Sequence, residues 1–284
     1  MKSHQSPILN GNQEAKEIIK SLKSKISHLK SKIGLAAILI GKDPASQIYI
    51  KIKEKKAKEV GIYFEKHILP ASISQEKVLK LIEKLNKSKK IHGILVQLPL
   101  PKKFNTEKII NAISDEKDVD GFKSLKHKNI KTLKHLRIIP PTVQAILHLI
   151  KISKRKLADK KAVILCNSLE FAEPLKFLLE KDKVKADVLL KPKITHYTLR
   201  ITHYNLIITA LGKKHWLKPE MIKRNAVIID VGITRNKKSK KIFGDAHPDC
   251  FKKSKYISPV PGGVGPLTVA FLLKNTVQLA QTKK

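Results

Sequence analysis

Arginine and aromatic side chains are scarce in this chain of 284 residues, with five arginines among 59 basic residues and 5% aromatics. Proteins that read nucleic-acid bases favour the bidentate fork of arginine and interleave rings for stacking. The formal net charge of +36 therefore reads as a drift towards lysine spread through every segment. Weak, salt-sensitive adhesion to RNA follows from such a charge in any case. A basic nucleic-acid-binding protein on an enzyme-like fold is the alternative from another class, and sequence- or shape-specific binding is what separates it. There are only two cysteines, Cys166 and Cys250, far apart and without paired Cys/His spacing. That excludes a disulfide framework and a zinc site, so both are expected as free thiols and no metal is expected. Long apolar runs are missing too: the stretch 33–40 is too short to span a bilayer, and the opening MKSHQSPILN has no signal-peptide core. The expectation is a soluble, cytoplasmic protein with neither a membrane nor a specific nucleic acid as partner.

With 42% hydrophobic residues, a chain of this length buries a sizeable core and more naturally forms two domains than one. Apolar residues at helical spacing predict a first helix over 14–29, and a buried strand follows at 35–40. The stretch DPASQIYIKIKEKKAKEVG, Asp43 to Gly61, reads as a helix with an acidic cap, proline at its first position and a glycine stop. At about 100° per residue, Tyr49, Ile52, Lys53, Ala57 and Val60 share its inward face. An extended piece at 64–68, a helix at 75–85, the strand GILVQL at 93–98 and a helix at 106–113 complete an α/β half with a largely parallel sheet. The basic segment 123–139 is placed as the junction. After a helix at 142–150 the rhythm restarts: strands at 162–165, 186–190, 205–211 and 226–231, and helices near 173–179, 219–222 and 267–279. Ligands of such sheets bind beyond the carboxyl ends of the strands.

Four stretches, DPASQIYIKIK with KEVGI, GILVQLPLP, KDVDGF and SPVPGGVGPLTVAFLLKNT, resemble in order and spacing the bifunctional methylenetetrahydrofolate dehydrogenase/methenyltetrahydrofolate cyclohydrolase family. ALGKKHWLKPEMIKRNAVIIDVGI resembles the same family's later block. The resemblance implies an α/β fold of two domains: a folate-binding catalytic domain at 1–139 and 262–284, and a Rossmann-like NAD(P)-binding domain at 140–261. The final helix would pack back on the first domain, with folate in the cleft between. It implies Lys53 and Tyr49 beside the one-carbon unit of tetrahydrofolate, four residues apart on one helix face. Partial burial would lower the lysine pKa towards that of a general base. Gln97 would bond Lys53 or the substrate from the strand end, next to Leu98. Asp120 would anchor the pterin through paired N–H donors, while Asp118 braces the loop. Pro261, Gly262 and Gly263 would let a flat ring approach the backbone.

The resemblance also implies NADP as cofactor, held around Cys166, Asn167, Ser168, Thr195, Gly232 and Ile233. Here the chain departs from the family, whose glycine-arginine-serine turn is replaced by CNSLEFAEP (Cys166–Pro174). Cysteine and alanine stand for two glycines, and bulk at Cys166 and Ala172 is expected to hinder a dinucleotide. Lys191 and Lys193 are conceivable substitute cations for a 2′-phosphate. The expected activity is oxidation of 5,10-methylenetetrahydrofolate followed by hydrolysis to 10-formyltetrahydrofolate; the alternative is hydrolysis alone. A homodimer is implied by the family.

Overall fold

The computed structural model describes residues 8–29, 32–122, 138–192, 201–236 and 239–282. Its helices are α1 (Gly11–Ser27), α2 (Pro44–Val60), α3 (Gln75–Lys87), α4 (Thr106–Asn111), α5 (Pro141–Ile152), α6 (Leu169–Lys181), α7 (Cys250–Lys253) and α8 (Val264–Gln281). Its strands are β1 (Gly34–Ile40), β2 (Tyr63–Leu69), β3 (Gly93–Val96), β4 (Lys161–Cys166), β5 (Lys185–Leu190), β6 (Leu206–Ala210), β7 (Val227–Asp230), β8 (Thr234–Arg235), β9 (Ile242–Phe243) and β10 (Tyr256–Ile257). Two compact units divide the chain. One comprises Ala15–Pro141 and Val269–Lys284; the other takes Thr142–Thr268 and the residues up to Glu14. Residues 8–14, expected in the first domain, join the second unit because Leu9 N donates to Ile257 O at 2.9 Å and Asn12 N to Gly262 O at 3.0 Å. Most of the expected junction, 123–137, lies outside the described residues.

In the first unit β1 is the middle of a parallel sheet ordered β2-β1-β3. Its sequence GLAAILI is buried at every position, as a strand covered on both faces requires. One core layer joins Ala36, Ile38 and Ile40 of β1 to Val78, Ile82 and Leu85 of α3. The register sets Ile38 opposite Val96, and Gln97 N extends the pairing by donating to Ile38 O at 2.9 Å. The carboxyl ends of β1 and β3 are thereby adjacent, and three residues separate β1 from α2.

The ends of α2 are as the sequence predicts. Asp43 accepts from Ser46 N at 2.7 Å, Pro44 opens the helix, and Gly61 closes it with φ +88°. Its inward stripe differs from the expected one. The buried residues are Ser46, Ile50, Ala57 and Val60, whereas Ile52 is 42% exposed. Positions 46, 50, 53, 57 and 60 follow the helical repeat, so Lys53 stands in the middle of the apolar stripe and Tyr49 on its half-buried flank.

The second unit holds a five-stranded, wholly parallel sheet ordered β10-β7-β6-β4-β5. Leu165, Ile207 and Ile228 share a core with Trp216, Leu217 and Ile257. The antiparallel pair β8-β9, the strand β10 and the helix α7 were not foreseen, because two to four residues carry too little periodicity to register. The helix expected at 219–222 is a single 3-10 turn, Pro219–Met221.

Candidate active site

Lys53 Nζ donates to Gln97 Oε1 at 3.0 Å, and Gln97 Nε2 donates to its neighbour's carbonyl, Leu98 O, at 2.7 Å. The glutamine therefore presents its oxygen to the lysine with its amide pinned from behind. Burial holds the lysine pKa below its ordinary value, and the nearby Asp120 carboxylate acts against that shift. Burial likewise pushes Asp120 up to about 7, opposed by Lys53 and assisted by Asp118. The two groups thus share one direction, towards the neutral pair, as desolvation of both requires. Burial also raises the Tyr49 hydroxyl above its usual value.

The loop bearing Asp120 is fixed from several sides. Ile94 N of β3 donates to Lys117 O at 2.7 Å, and Asp118 Oδ1 accepts from Gly121 N at 3.0 Å, the bracing role expected of it. Gly121 has φ +70°, and a Cβ there would stand 2.8 Å from Ile138 O. Asn275 of α8 donates to Val119 O at 2.9 Å and Ile139 O at 3.0 Å. Lys117, 1% exposed, points the other way and donates to Leu85 O and Ser88 O at the end of α3.

Pro261, Gly262 and Gly263 lie in the second unit. The two glycines are buried, and backbone packing accounts for them. A Cβ on Gly263 would meet Pro259 O at 2.6 Å, and Gly262 has φ +108° beside Asn12. Only Pro261 of the three is exposed.

At the carboxyl end of β4 the chain turns through Cys166, Asn167 and Ser168 into α6. Cys166 is 1% exposed and its thiol donates to Ser168 O at 3.3 Å; Ala172 is 0% exposed. Both side chains are buried inside the fold and do not project into the surface at which obstruction was expected. Ser168 sits at the N-cap of α6 and its hydroxyl makes no capping bond. Asn167 Nδ2 donates to Leu211 O at 2.8 Å. Beyond β6 and β7, Asp245 accepts from Thr209 Oγ1, Leu211 N and Lys213 N at 2.7 to 2.8 Å. Asp230 accepts from Gly232 N, Asp245 N and Ala246 N at 2.8 to 3.1 Å. Burial pushes Asp230 up to about 7. Gly232 is buried and Ile233 exposed.

Comparison with known proteins gives this geometry a context. Residues 9–120 match the family model described as tetrahydrofolate dehydrogenase/cyclohydrolase, catalytic domain, and residues 140–284 match its NAD(P)-binding domain. The chain belongs to this family. It is 41% identical over 278 residues to the bifunctional protein FolD of Moorella thermoacetica, covering 96% of this chain and 98% of that one. Among solved structures it is similar to the FolD methylenetetrahydrofolate dehydrogenase/cyclohydrolase of Campylobacter jejuni, with TM-score 0.90, 37% identity and coverage of 98% and 100%. The Trypanosoma brucei enzyme, complexed with NADP cofactor and inhibitor, gives TM-score 0.89 at 28% identity, with 98% of each chain covered.

Within this family frame, Tyr49, Lys53, Gln97, Leu98 and Asp120 all fall in the first unit, with Lys53 bonded to Gln97 and interacting electrostatically with Asp120. Cys166, Asn167, Ser168, Gly232 and Ile233 fall in the second, at one end of its sheet. Thr195 and Lys193 lie outside the described residues. The turn after β4 fits a dinucleotide: its bulkier side chains are internal and its serine hydroxyl is uncommitted to capping. The amide-rich start of α6 suits phosphate, while the exposed Glu170 and Glu173 oppose it. Sequence reasoning missed Lys117, Asn275, Asp230 and Asp245. For the two aspartates a signal existed, an acid closing the apolar run VIID and another directly after a glycine in FGDA. No metal-binding cluster of His, Cys, Asp or Glu occurs among the described residues, and no helix among them is long and apolar enough to cross a membrane.

Proposed function

We propose that this chain oxidises 5,10-methylenetetrahydrofolate to the 5,10-methenyl compound with NADP and hydrolyses that product to 10-formyltetrahydrofolate, with Lys53, Tyr49, Gln97 and Asp120 as its catalytic set. The observation that carries this reading is the 3.0 Å contact between Lys53 and Gln97 inside an apolar helix stripe. Burial lowers the pKa of a lysine there, the direction that general-base work requires. In hydrolysis, water adds to the methenyl carbon and Lys53 Nζ takes the proton that water releases; the adduct's hydroxyl then gives up its proton to solvent as it becomes the carbonyl, the ring C–N bond breaks, and the leaving nitrogen takes back the proton held by Lys53, leaving the formyl group. Gln97 Oε1 holds one N–H of Lys53 and so directs the remaining lone pair. Asp120, when ionised, accepts the paired N–H donors of the pterin edge, and Tyr49 packs beside the folate ring.

NADP, when bound, supplies the acceptor for the hydride leaving the methylene carbon. Ser168 and the first amides of α6 would hold its phosphates, with Asn167, Gly232 and Ile233 lining the same sheet end. The reading includes a cytoplasmic homodimer, supported by the family resemblance and open to test by sedimentation equilibrium. The decisive experiment follows methylenetetrahydrofolate oxidation with NADP and with NAD, beside methenyl decay, on one purified sample. Both activities are expected. Methenyl decay alone, with neither nucleotide bound at millimolar concentration, overturns the dehydrogenase half.

A further inference from the structure

The buried carboxylates of Asp230 and Asp245 belong to no step above, and they are costly to keep, since burying charge carries a large desolvation penalty. Asp230 is 3% exposed and Asp245 0%. The hydrogen bonds given above supply them with five backbone amides and the Thr209 hydroxyl. A capping role for one turn would need a single neutral acceptor. Here Asp245 takes three donors from the one stretch 209–213, and Asp230 serves two segments. Asp245 holds the chain leaving β6 at Leu211 and Lys213, while Asp230 holds the chain leaving β7 at Gly232 and grips the segment 245–246.

The fit around them is close. A Cβ on Gly232 would stand 2.1 Å from Asp245 Cγ, and one on Gly244 2.2 Å from Asp230 Oδ2. The network reaches a third strand, because Leu211, whose amide Asp245 holds, accepts the side chain of Asn167 from the turn after β4. β4, β6 and β7 are neighbours in the parallel sheet, and their carboxyl ends are where open α/β sheets bind nucleotides.

We propose that Asp245 and Asp230 are positioning residues for the dinucleotide: one continuous network sets the backbone after β4, β6 and β7 into the surface that receives it. This rests on the reading that the dinucleotide binds at this end of the sheet. The carboxylates need not touch it. They hold Gly232 directly and Asn167 through Leu211, at the strand ends where that surface lies.

The test uses the full chain and NADPH as probe. Trp216, the single tryptophan, lies three residues beyond Lys213, so energy transfer from it to the reduced nicotinamide reports binding. Asp245→Asn puts an amide N–H₂ where a carboxylate oxygen accepted an N–H or O–H. It should weaken NADPH binding about tenfold or more, the equivalent of one lost charge-assisted hydrogen bond. The KM for NADP should rise in step, while methenyl hydrolysis without nucleotide stays within about twofold of the parent. Thr209→Val removes one donor at similar volume and should weaken binding about threefold or more, with a lowered urea midpoint that still leaves the protein folded under assay conditions; it decides the matter if Asp245→Asn does not fold. A parent that binds NADPH, with folded variants binding it within about twofold, overturns the positioning role. A parent that binds neither NADPH nor NADH overturns the dinucleotide reading itself, and this proposal with it.

Discussion

Replacing Lys53 by methionine separates chemistry from architecture, because the two side chains have similar length and the stripe of α2 around position 53 is apolar. What the fold loses is the donor to Gln97 Oε1, and an amide oxygen left without a partner in a largely buried place costs about 1 to 3 kcal/mol. Two effects offset this. The desolvated ammonium is gone, and Asp120, whose carboxyl already titrates near pH 7, takes a proton rather than standing as an unpaired charge. A net loss of about 1 to 2 kcal/mol leaves a domain of ordinary stability folded. The chemistry has no such compensation: general acid–base catalysis contributes about 10²- to 10⁴-fold, so methenyl hydrolysis should fall by that factor. Lys53→Arg keeps the charge but holds its proton at every working pH, and it should fall comparably. The assay is the decay of the methenyl chromophore with the buffer-only rate subtracted, beside circular dichroism and a urea titration. Folded Lys53→Met with hydrolysis within about tenfold of the parent refutes the role of Lys53. Full activity in Lys53→Arg refutes proton transfer and leaves only its charge.

Two further perturbations act on stability. Folding favours the protonated form of Asp120, since its carboxyl titrates near 7 in the fold against an ordinary 3.8; its contribution is complete below that lower value and is lost as pH rises through about 7. Asp120→Asn abolishes this dependence, so its urea midpoint should gain on the parent between about pH 4 and pH 7, and parallel curves would count against the raised pKa. Lys117→Met leaves Leu85 O and Ser88 O without their cation at the end of α3 and should cost about 2 to 4 kcal/mol in urea denaturation, while a cost below about 1 kcal/mol would show that the carbonyls find other donors.

How far the molecule could be foreseen depended on whether a feature is carried by neighbours in sequence or by neighbours in space. The ends of α2 were legible because a cap is a local contract: Asp43, Pro44 and Gly61 each act on residues within four positions of themselves. Its buried stripe was legible only approximately. Tyr49 and Ile52 are apolar enough to pass for core, and only the sheet beneath decides that position 53, not 52, points inward. That single step strengthened the case for Lys53. The long strands were readable from continuous apolar runs, whereas β8, β9 and β10 exist through their pairing partners and leave no pattern in two residues.

The same distinction bears on the expectation for Cys166 and Ala172. Cys166 and Ala172 in place of glycine looked like obstacles because glycine usually marks an approaching ligand. Which way a Cβ points is set by the fold, and here both point into it. For Gly262 and Gly263 the lesson runs the other way, since the glycines foreseen as a platform for a ring are required by Asn12 and Pro259. A glycine is therefore informative about crowding but silent about what does the crowding. Gly232 and Gly244 show how to extract more: a Cβ on Gly232 would run into Asp245, which holds the chain leaving β6, and one on Gly244 into Asp230, which holds the chain leaving β7, so an aspartate closing a strand and a glycine near a second aspartate are best read as one unit.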